Sequence, residues 1–207
     1  MKNNGSSTVA NWNYVTLSIV VTTILTVLVL YMPGFKEIDV TMLKSIRKFL
    51  LGVFPSYIPL AVTDFGRANY MLWPQITACA VLVSHRRYLK TFLLLFFTQL
   101  AYLCVGWMKN FVCRERPCIY EGYSFPSGHS LTTMCFYGIL IYLIMKYVTN
   151  DFWRWTLSII LGVFIFLVAL SRLWLGVHFP TDVIVGLFFG FMLVNLYIIF
   201  DKFFTKG

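Results

Sequence analysis

"VIVGLFFGFMLVNLYIIF", residues 183–200, is an uncharged and almost wholly apolar run. A run of this length is typical of a helix that crosses about 30 Å of hydrocarbon. Five further runs have a similar character: Trp12–Met32, Ala68–Ser84, Thr91–Met108, Ser130–Val148 and Trp155–Leu170. Because hydrocarbon offers backbone groups no hydrogen-bond partner, and because the alternation of a membrane barrel is absent, each run is expected to be helical. The sequence therefore predicts an all-α, polytopic membrane helical bundle with six transmembrane helices.

The composition supports this fold class. Of the 207 residues, 59% are apolar and only 12% are charged, which is unlike a soluble domain. We expect one membrane-embedded domain over residues 1–207. The net charge of +9 comes from bases scattered among the loops. This distribution favours the lipid bilayer and its anionic headgroups as partners, and we expect no nucleic acid partner.

An amphipathic segment, Asp39–Leu51, lies between the first two runs. Its apolar residues recur at helical spacing with bases between them: Val40, Leu43, Ile46 and Leu50. This pattern predicts an interfacial helix. The stretch that follows, residues 52–62, is apolar but too short and too broken by proline to span, which favours a re-entrant or surface-lying segment.

Two polar passages interrupt the apolar chain. The first polar passage is "KNFVCRERPCIYEGYSFPSGHS", residues 109–130, and the second is "SRLWLGVHFPTD", residues 171–182. With six spans, the first joins span three to span four and the second joins span five to span six, so both emerge on one face. On the opposite face, His85-Arg86-Arg87 with Lys90 forms a tight basic cluster of the kind that sets orientation. We therefore expect both termini in the cytoplasm and both polar passages outside.

The cations of the polar passages suit an anion. Lys109, Arg116 and Arg172 lie at span ends, where a guanidinium fork and an ammonium charge can surround a phosphate. Ser127 and Gly128 begin the fourth span, and a helix start offers backbone N–H groups and a positive dipole end. Gly128 allows that backbone to approach a ligand closely. These features predict a phosphate-binding site.

Two of the three histidines in the chain fall in these passages, His129 and His178. His178 and Asp182 are one helical turn apart, so the carboxylate can hold Nδ1–H and leave the other ring nitrogen as a nucleophile. His129 can act as an acid for the leaving oxygen. A single basic residue at a span end is usually an anchor. The cations, the Gly-His helix start and the His-Asp turn on one face together favour a site.

A metal centre is the competing chemistry, because histidine and acidic side chains are common ligands. No HxxxH or HxxE grouping occurs, and three bases beside the histidines would repel a divalent ion. The pattern therefore favours a site without metal or cofactor. Cys113 and Cys118 bracket Arg-Glu-Arg-Pro, and a disulfide and two free thiols are both compatible with this spacing.

The motifs resemble the signature of a known family. That signature runs Lys109, six residues, Arg116-Pro117; then Pro126-Ser127-Gly128-His129; then Ser171-Arg172, five residues, His178, three residues, Asp182. Three linked motifs in this order resemble the type 2 phosphatidic acid phosphatase superfamily, over the part of the chain from Lys109 to Asp182. The same signature occurs in soluble vanadium-dependent haloperoxidases, which six apolar spans disfavour.

The resemblance implies a metal-independent phosphatase or diphosphatase that acts on a phosphorylated membrane lipid. His178 would attack phosphorus to give a phosphohistidine, His129 would protonate the leaving group, and Asp182 would orient His178. The phosphate ligands would be Lys109, Arg116, Ser127, Gly128 and Arg172.

The known substrates of bacterial members imply undecaprenyl diphosphate, phosphatidylglycerol phosphate or phosphatidate. The site would then face the periplasm from a bacterial inner membrane. One alternative is a lipid A phosphatase of the same superfamily. Another is a non-catalytic membrane protein that binds anionic headgroups, which needs the cations but gives no reason for the spacing of His178 and Asp182.

Overall fold

The computed structural model of the protein describes residues 4–53, 63 and 68–205. Within these residues there are seven helices and no strand, which confirms the all-α fold. The helices are α1 (Asn4–Tyr31), α2 (Phe35–Val53), α3 (Ala68–Ser84), α4 (Tyr88–Val112), α5 (Gly128–Tyr147), α6 (Asp151–Trp174) and α7 (Pro180–Phe204). Residues 54–62, most of the predicted re-entrant or surface-lying segment, lie outside the described part of the chain.

Five of these helices are long and apolar enough to cross a membrane: α1, α4, α5, α6 and α7. In α3 the apolar part Tyr70–Ser84 is shorter and contains Pro74, so the sixth span stays a prediction. The helices extend past the apolar runs because polar residues continue and cap them. For example, α6 begins three residues before Arg154, where the side chain of Asn150 accepts a hydrogen bond from the N–H of Trp153.

The outer surface of the bundle is strongly apolar. Side chains such as Trp73, Leu103 and Phe203 are 70–73% exposed, and they are spread over several helices. Soluble domains rarely expose apolar surface on this scale. The exposed side chains therefore suit contact with lipid, as expected of an integral membrane protein.

Helices α5 and α7 approach each other through glycine. A Cβ atom at Gly186 would lie 2.7 Å from the carbonyl oxygen of Ser127, and one at Gly190 would lie 2.6 Å from that of Leu131. Small residues four apart allow helix backbones to pack this closely in membranes. The contact places the start of α5 beside the first turns of α7.

Helix α2 packs on the second polar passage. The helix spans Phe35–Val53, so the amphipathic helix predicted for Asp39–Leu51 is confirmed and extends at both ends. Its apolar side chains contact α6, α7 and the residue that precedes α7, in a cluster of Leu43, Ala169, Leu173, Phe179 and Val183. The apolar stripe of α2 is thus largely covered by protein, close to the predicted catalytic residues.

A buried ionic cluster joins three helices at the other end of the bundle. Asp201 of α7 accepts hydrogen bonds from Lys90 Nζ at 2.7 Å, from Lys146 Nζ at 2.5 Å and from the Tyr142 hydroxyl at 2.7 Å. Lys90 is only 3% exposed. Lys90, which the sequence groups with His85, Arg86 and Arg87, is thus a buried member of that basic cluster, and its charge is matched by a carboxylate 111 residues further along the chain.

Gly190→Ala tests the close approach of α5 and α7. The added Cβ would meet backbone oxygen of Leu131 at 2.6 Å and Cβ of Met134 at 2.8 Å, so the helices must separate. We expect the free energy of unfolding in detergent to fall by about 1–3 kcal/mol. The control is Gly162→Ala in α6, where nothing lies within 4 Å and alanine favours the helix. Equal stability of the two variants would contradict the packing.

Candidate active site

The two polar passages meet at one end of the bundle. The backbone N–H of Ser127 donates to the carbonyl oxygen of Asp182 at 2.9 Å, which joins the start of α5 to the first turn of α7. Arg116 Nη1 donates to the carbonyl oxygen of Val177 at 3.4 Å, and its Nε donates to that of Gly122 at 3.2 Å. Segments about 60 residues apart in the sequence thus form one surface.

A cavity of about 530 Å³ opens between the passages. It is lined by Thr63, Arg116, Tyr120, Glu121, His129, Arg172, Leu175 and Val177. Arg172 Nη1 donates a hydrogen bond to the hydroxyl of Thr63 on one wall. Two guanidinium groups and an imidazole therefore face a space large enough for a phosphate group.

His178 and Asp182 form a buried pair beside this cavity. His178 Nδ1 lies 3.5 Å from Asp182 Oδ2, and the two residues are 1% and 0% exposed. The same oxygen accepts the N–H of Phe179 at 2.8 Å, because an acid at the third helical position caps the start of a helix. Pro180 at the first position fixes that start. The sequence "HFPTD" thus sets the carboxylate opposite Nδ1 and leaves Nε2 on the other side of the ring.

Burial determines the protonation state of His178. Loss of solvation lowers the pKa of this imidazole to about 4, Asp182 raises it in part, and the charges of Arg172 and Arg116 lower it again. The ring is therefore neutral at pH 7. A neutral ring is the form that can act as a nucleophile.

The start of α5 is capped by Ser127. Its buried Oγ accepts hydrogen bonds from the N–H of Ser130 at 3.4 Å and from the hydroxyl of Ser130 at 2.9 Å. A Cβ atom at Gly128 would lie 3.2 Å from a methyl carbon of Val105 in α4, which leaves little room for a side chain. The Ser127 oxygen thus accepts the capping hydrogen bonds, while its own O–H and the backbone N–H groups of this turn can serve an anion.

The predicted phosphate ligands occupy two kinds of position. Arg116 and Arg172 line the cavity, as does His129, the second residue of α5. Lys109, Ser127 and Gly128 are not among its lining residues. Lys109 lies in the last turn of α4, where its Nζ donates to the carbonyl oxygen of Tyr123 at 2.7 Å within the first polar passage.

Sequence reasoning missed three residues around Asp182. Arg114 Nη1 donates to Asp182 Oδ1 at 2.7 Å and to the Thr181 hydroxyl at 2.8 Å, and its Nη2 donates to Asp39 Oδ2 at 2.7 Å. One signal was available, since Asp39 precedes Leu43 by one helical turn and so places an acid on the apolar stripe of α2. Arg114 carried no signal of its own beyond its place in a charged loop.

The structure also shows the state of the cysteines near the site and whether side chains could group around a metal ion. Cys113 and Cys118 are free thiols, so the structure favours the unpaired alternative. Cys113 ends α4 in the left-handed conformation, with φ of 51°. Among the described residues, no group of three or more His, Cys, Asp or Glu side chains could hold a metal ion.

A bundle of apolar helices with a basic cavity and a buried His-Asp pair at one end defines an integral membrane protein with a candidate phosphate site. The profile of the PAP2 superfamily matches residues 90–206, more than half of the chain. The chain belongs to this superfamily. It is accordingly a lipid phosphatase, a hydrolase of phosphate esters of membrane lipids.

Two curated relatives carry more specific names. The chain is 31% identical to phosphatidylglycerophosphatase B of Bacillus subtilis over 147 residues, which cover 68% of this chain and 72% of that protein. It is 43% identical to undecaprenyl-diphosphatase of Sulfolobus acidocaldarius over 68 residues, which cover 33% of this chain and 29% of that protein.

Two solved structures share the fold. The transmembrane PAP2 type phosphatidylglycerolphosphate phosphatase from Bacillus subtilis matches with a TM-score of 0.80 and 25% identity, over 91% of this chain and 96% of that chain. Aquifex aeolicus LpxE matches with a TM-score of 0.60 and 22% identity, over 77% of this chain and 93% of that chain. The second likeness is one of fold alone.

The neutral state of His178 predicts its titration. The chain has three histidines, so the NMR signal of His178 in a histidine-labelled sample is the one lost in His178→Gln. We expect this ring to stay neutral until the pH approaches about 4, well below the 6.5 of an exposed imidazole. A His178 signal that titrates near pH 6.5 would contradict its burial as a neutral ring.

The lowered pKa of His178 also predicts how the stability of the protein depends on pH. Because the pKa of His178 is lower in the folded protein, the unfolded chain takes up this proton more readily. The stability contributed by the neutral ring is complete above pH 6.5 and is lost as the pH falls towards about 4. The free energy of unfolding of the wild type should therefore fall relative to that of His178→Gln across this interval.

Proposed function

We propose that the protein removes a phosphate from a membrane lipid through a phosphohistidine on His178. The observation that carries this proposal is the buried pair of His178 and Asp182 next to a cavity lined by Arg116, His129 and Arg172. A protein that only binds headgroups needs the cations. It has no use for a neutral imidazole whose Nδ1 faces a carboxylate, and this favours a catalyst.

The first step transfers the phosphoryl group to the protein. The lone pair on Nε2 of His178 forms a bond to phosphorus while the bond from phosphorus to the lipid oxygen breaks. His129 gives its proton to that oxygen, so the lipid leaves as an alcohol or, from a diphosphate, as a monophosphate. Asp182 stabilises the positive charge that develops on the ring of His178.

The second step returns the protein to its starting state. A water oxygen attacks phosphorus, the bond between phosphorus and Nε2 breaks, and the electron pair returns to the ring. The water proton passes to His129, which acts in the reverse direction to the first step. Inorganic phosphate is released, and neither step requires a metal ion or a cofactor.

Charge in the transition state is stabilised by the surrounding donors. Arg116 and Arg172 face the cavity and can bind the equatorial phosphoryl oxygens as planar forks. The first turn of α5 at Ser127 and Gly128 adds backbone N–H groups and a positive dipole end. Lys109 supplies a further positive charge from the first polar passage.

The substrate class that we favour is phosphatidylglycerol phosphate. A curated relative and a solved structure that each match over more than two thirds of both chains carry this activity in their names, at 31% and 25% identity. Undecaprenyl diphosphate is the second candidate, because a shorter segment is 43% identical to an undecaprenyl-diphosphatase. Phosphatidate and the lipid A phosphates follow. In each case the lipid tail would stay in the membrane beside a single domain of residues 1–207.

We infer that the site faces the periplasm from a bacterial inner membrane. Exposed Arg86 and Arg87 lie at the opposite end of the bundle, where basic residues favour the cytoplasm. The test uses a variant in which serine replaces the five native cysteines and a single cysteine replaces either Lys44 or Tyr88, both of which are exposed. The two single-cysteine variants should react differently with an impermeant maleimide in spheroplasts. We expect labelling at Lys44 only, and labelling at Tyr88 only would reverse the orientation.

His178→Gln tests the nucleophile on purified protein with phosphatidylglycerol phosphate, undecaprenyl diphosphate and phosphatidate in matched detergent. We expect phosphate release to be abolished on every lipid while lipid binding is retained, because the cations of the cavity remain. Wild-type protein quenched in alkali should carry a phosphohistidine that the variant lacks. Phosphate release by His178→Gln at the wild-type rate would end the proposal.

His129→Gln is the matched comparison, because it leaves the nucleophile in place. We expect phosphate release from lipid substrates to fall by about 10²–10⁴-fold, the usual contribution of a general acid. An aryl phosphate, whose leaving group needs no proton, should still phosphorylate His178 in this variant. Equal loss on both kinds of substrate would argue against His129 as the acid.

A further inference from the structure

A buried guanidinium links two carboxylates beside the proposed nucleophile. The side chain of Arg114 is 8% exposed, and its Nη1 and Nη2 lie 2.7 Å from Asp182 and Asp39 respectively. Its guanidinium carbon also lies 4.0 Å from the ring centroid of Phe179, the residue between His178 and Pro180. Arg114 therefore contacts the second polar passage both through a charge pair and through an aromatic face.

Thr181 closes the cluster. Its backbone N–H donates to Asp39 Oδ1 at 3.3 Å, and its hydroxyl donates to Asp39 Oδ2 and accepts from Arg114 Nη1. Asp39 and Thr181 are 1% and 7% exposed. Helix α2 is thus fixed to the first turn of α7 by hydrogen bonds in which each carboxylate oxygen of Asp39 has a partner.

Each carboxylate oxygen of Asp182 has its own set of contacts. Oδ1 accepts from Arg114, and Oδ2 accepts from the N–H of Phe179 and faces His178 Nδ1. Rotation of the carboxylate about its bond to Cβ would break a charge-assisted hydrogen bond in a buried place, which is costly. Arg114 therefore holds Asp182 Oδ2 in the direction of the imidazole.

The charges in the cluster do not cancel. Two carboxylates and one guanidinium leave one negative charge next to a neutral ring. The positive charge of Arg114 alone would weaken the electrostatic effect of Asp182 on His178. Asp39, which pairs with the other end of the guanidinium, offsets that effect. When His178 forms a bond to phosphorus its ring becomes positive, and this positive charge offsets the negative charge left over in the cluster.

We propose that Asp39 and Arg114 are positioning residues of the phosphatase reaction and that they act on His178 through Asp182. Helix α2, which carries Asp39, therefore contributes to the function of the site. This inference rests on the proposed function. The charged groups of both residues are already bonded to each other, to Asp182 and to Thr181, so neither is expected to contact the phosphate. The pair acts on the rate of phosphoryl transfer and not on substrate binding.

Asp39→Asn, Arg114→Gln and the double variant test the pair with phosphatidylglycerol phosphate or whichever lipid the wild type hydrolyses. We expect kcat to fall roughly 10- to 100-fold in each, the size of effect that misplacement of a catalytic group produces. KM should stay within about twofold of the wild type, because the cations of the cavity are untouched. A residue needed only for folding would change the amount of folded protein and leave kcat unaltered.

The titration of His178 separates positioning from folding. The groups that face its ring are Asp182 from α7, Arg172 from α6 and Arg116 from the first polar passage. Loss of the Asp39 charge should make the ring harder to protonate, and loss of the Arg114 charge should make it easier. The two single variants are thus expected to shift the NMR titration of His178 in opposite directions.

The double variant keeps the test decisive if a single variant fails to fold. Asp39→Asn with Arg114→Gln removes one charge of each sign, so the net buried charge is that of the wild type. We expect this variant to fold and to titrate close to the wild type, but to have a lowered kcat because Asp182 has lost its anchor. Wild-type kcat in a folded double variant would overturn the proposal.

The matched control is Glu115→Gln. Glu115 pairs with Lys36 of α2 at 3.8 Å, but both side chains are mostly exposed, so this second link between α2 and the first polar passage should contribute little. We expect its kcat to equal that of the wild type. If His178→Gln is inactive and the Asp39 and Arg114 variants are fully active, this inference fails alone. If His178→Gln is active, the proposed function fails as well.

Discussion

The hydrogen bond from the backbone of Ser127 to the backbone of Asp182 fixes the geometry on which the site depends. It joins the first turns of α5 and α7, and these turns carry His129 and Asp182. The bond can form because Gly186 brings the α7 backbone close to the carbonyl oxygen of Ser127. A side chain at this glycine would separate the two helix starts and with them the residues proposed for the two halves of the reaction.

The polar residues of the site are concentrated where the helices end, and the membrane explains this arrangement. A charged side chain in the middle of a bilayer is costly unless it is paired or faces a cavity. Arg116 and residues 175–179 of the second polar passage lie between helices, and Arg172 is in the last turn of α6. The bundle can therefore remain apolar over its length, while backbone groups freed at helix starts and ends become available to an anion.

The contacts that could be predicted from the sequence are those between residues that lie close together in it. His178 and Asp182 are one turn apart, so their pairing could be predicted from spacing, and Ser127 could be predicted at a helix start from its own type. Arg114 and Asp39 are 75 residues apart, and Lys90 and Asp201 are 111 apart. Pairs of this kind depend on how apolar helices rotate and pack against one another.

Uniformly apolar helices carry little information about that packing. Helices α5 and α7 are apolar on all sides, so no stripe indicates which face meets a neighbour. The buried charges of Lys90 and Asp39 resembled ordinary loop or anchor residues for the same reason. Helix α2, with its distinct apolar stripe, indicated its buried side in advance, and Asp39 on that stripe pointed to a partner.

The two buried ionic clusters show how similar components can serve different roles. At the end opposite the site, Asp201 is surrounded by Lys90, Lys146 and Tyr142, and both lysines lie within 6 Å of the centroid of the Tyr147 ring. That cluster joins helices and carries a surplus of positive charge. Within the cluster of Asp39, Arg114 and Asp182 the surplus is negative and lies next to an imidazole. In the proposed reaction, a surplus of this sign would stabilise the positive ring that phosphoryl transfer creates on His178, so the same kind of ionic cluster would serve the transition state as well as the fold.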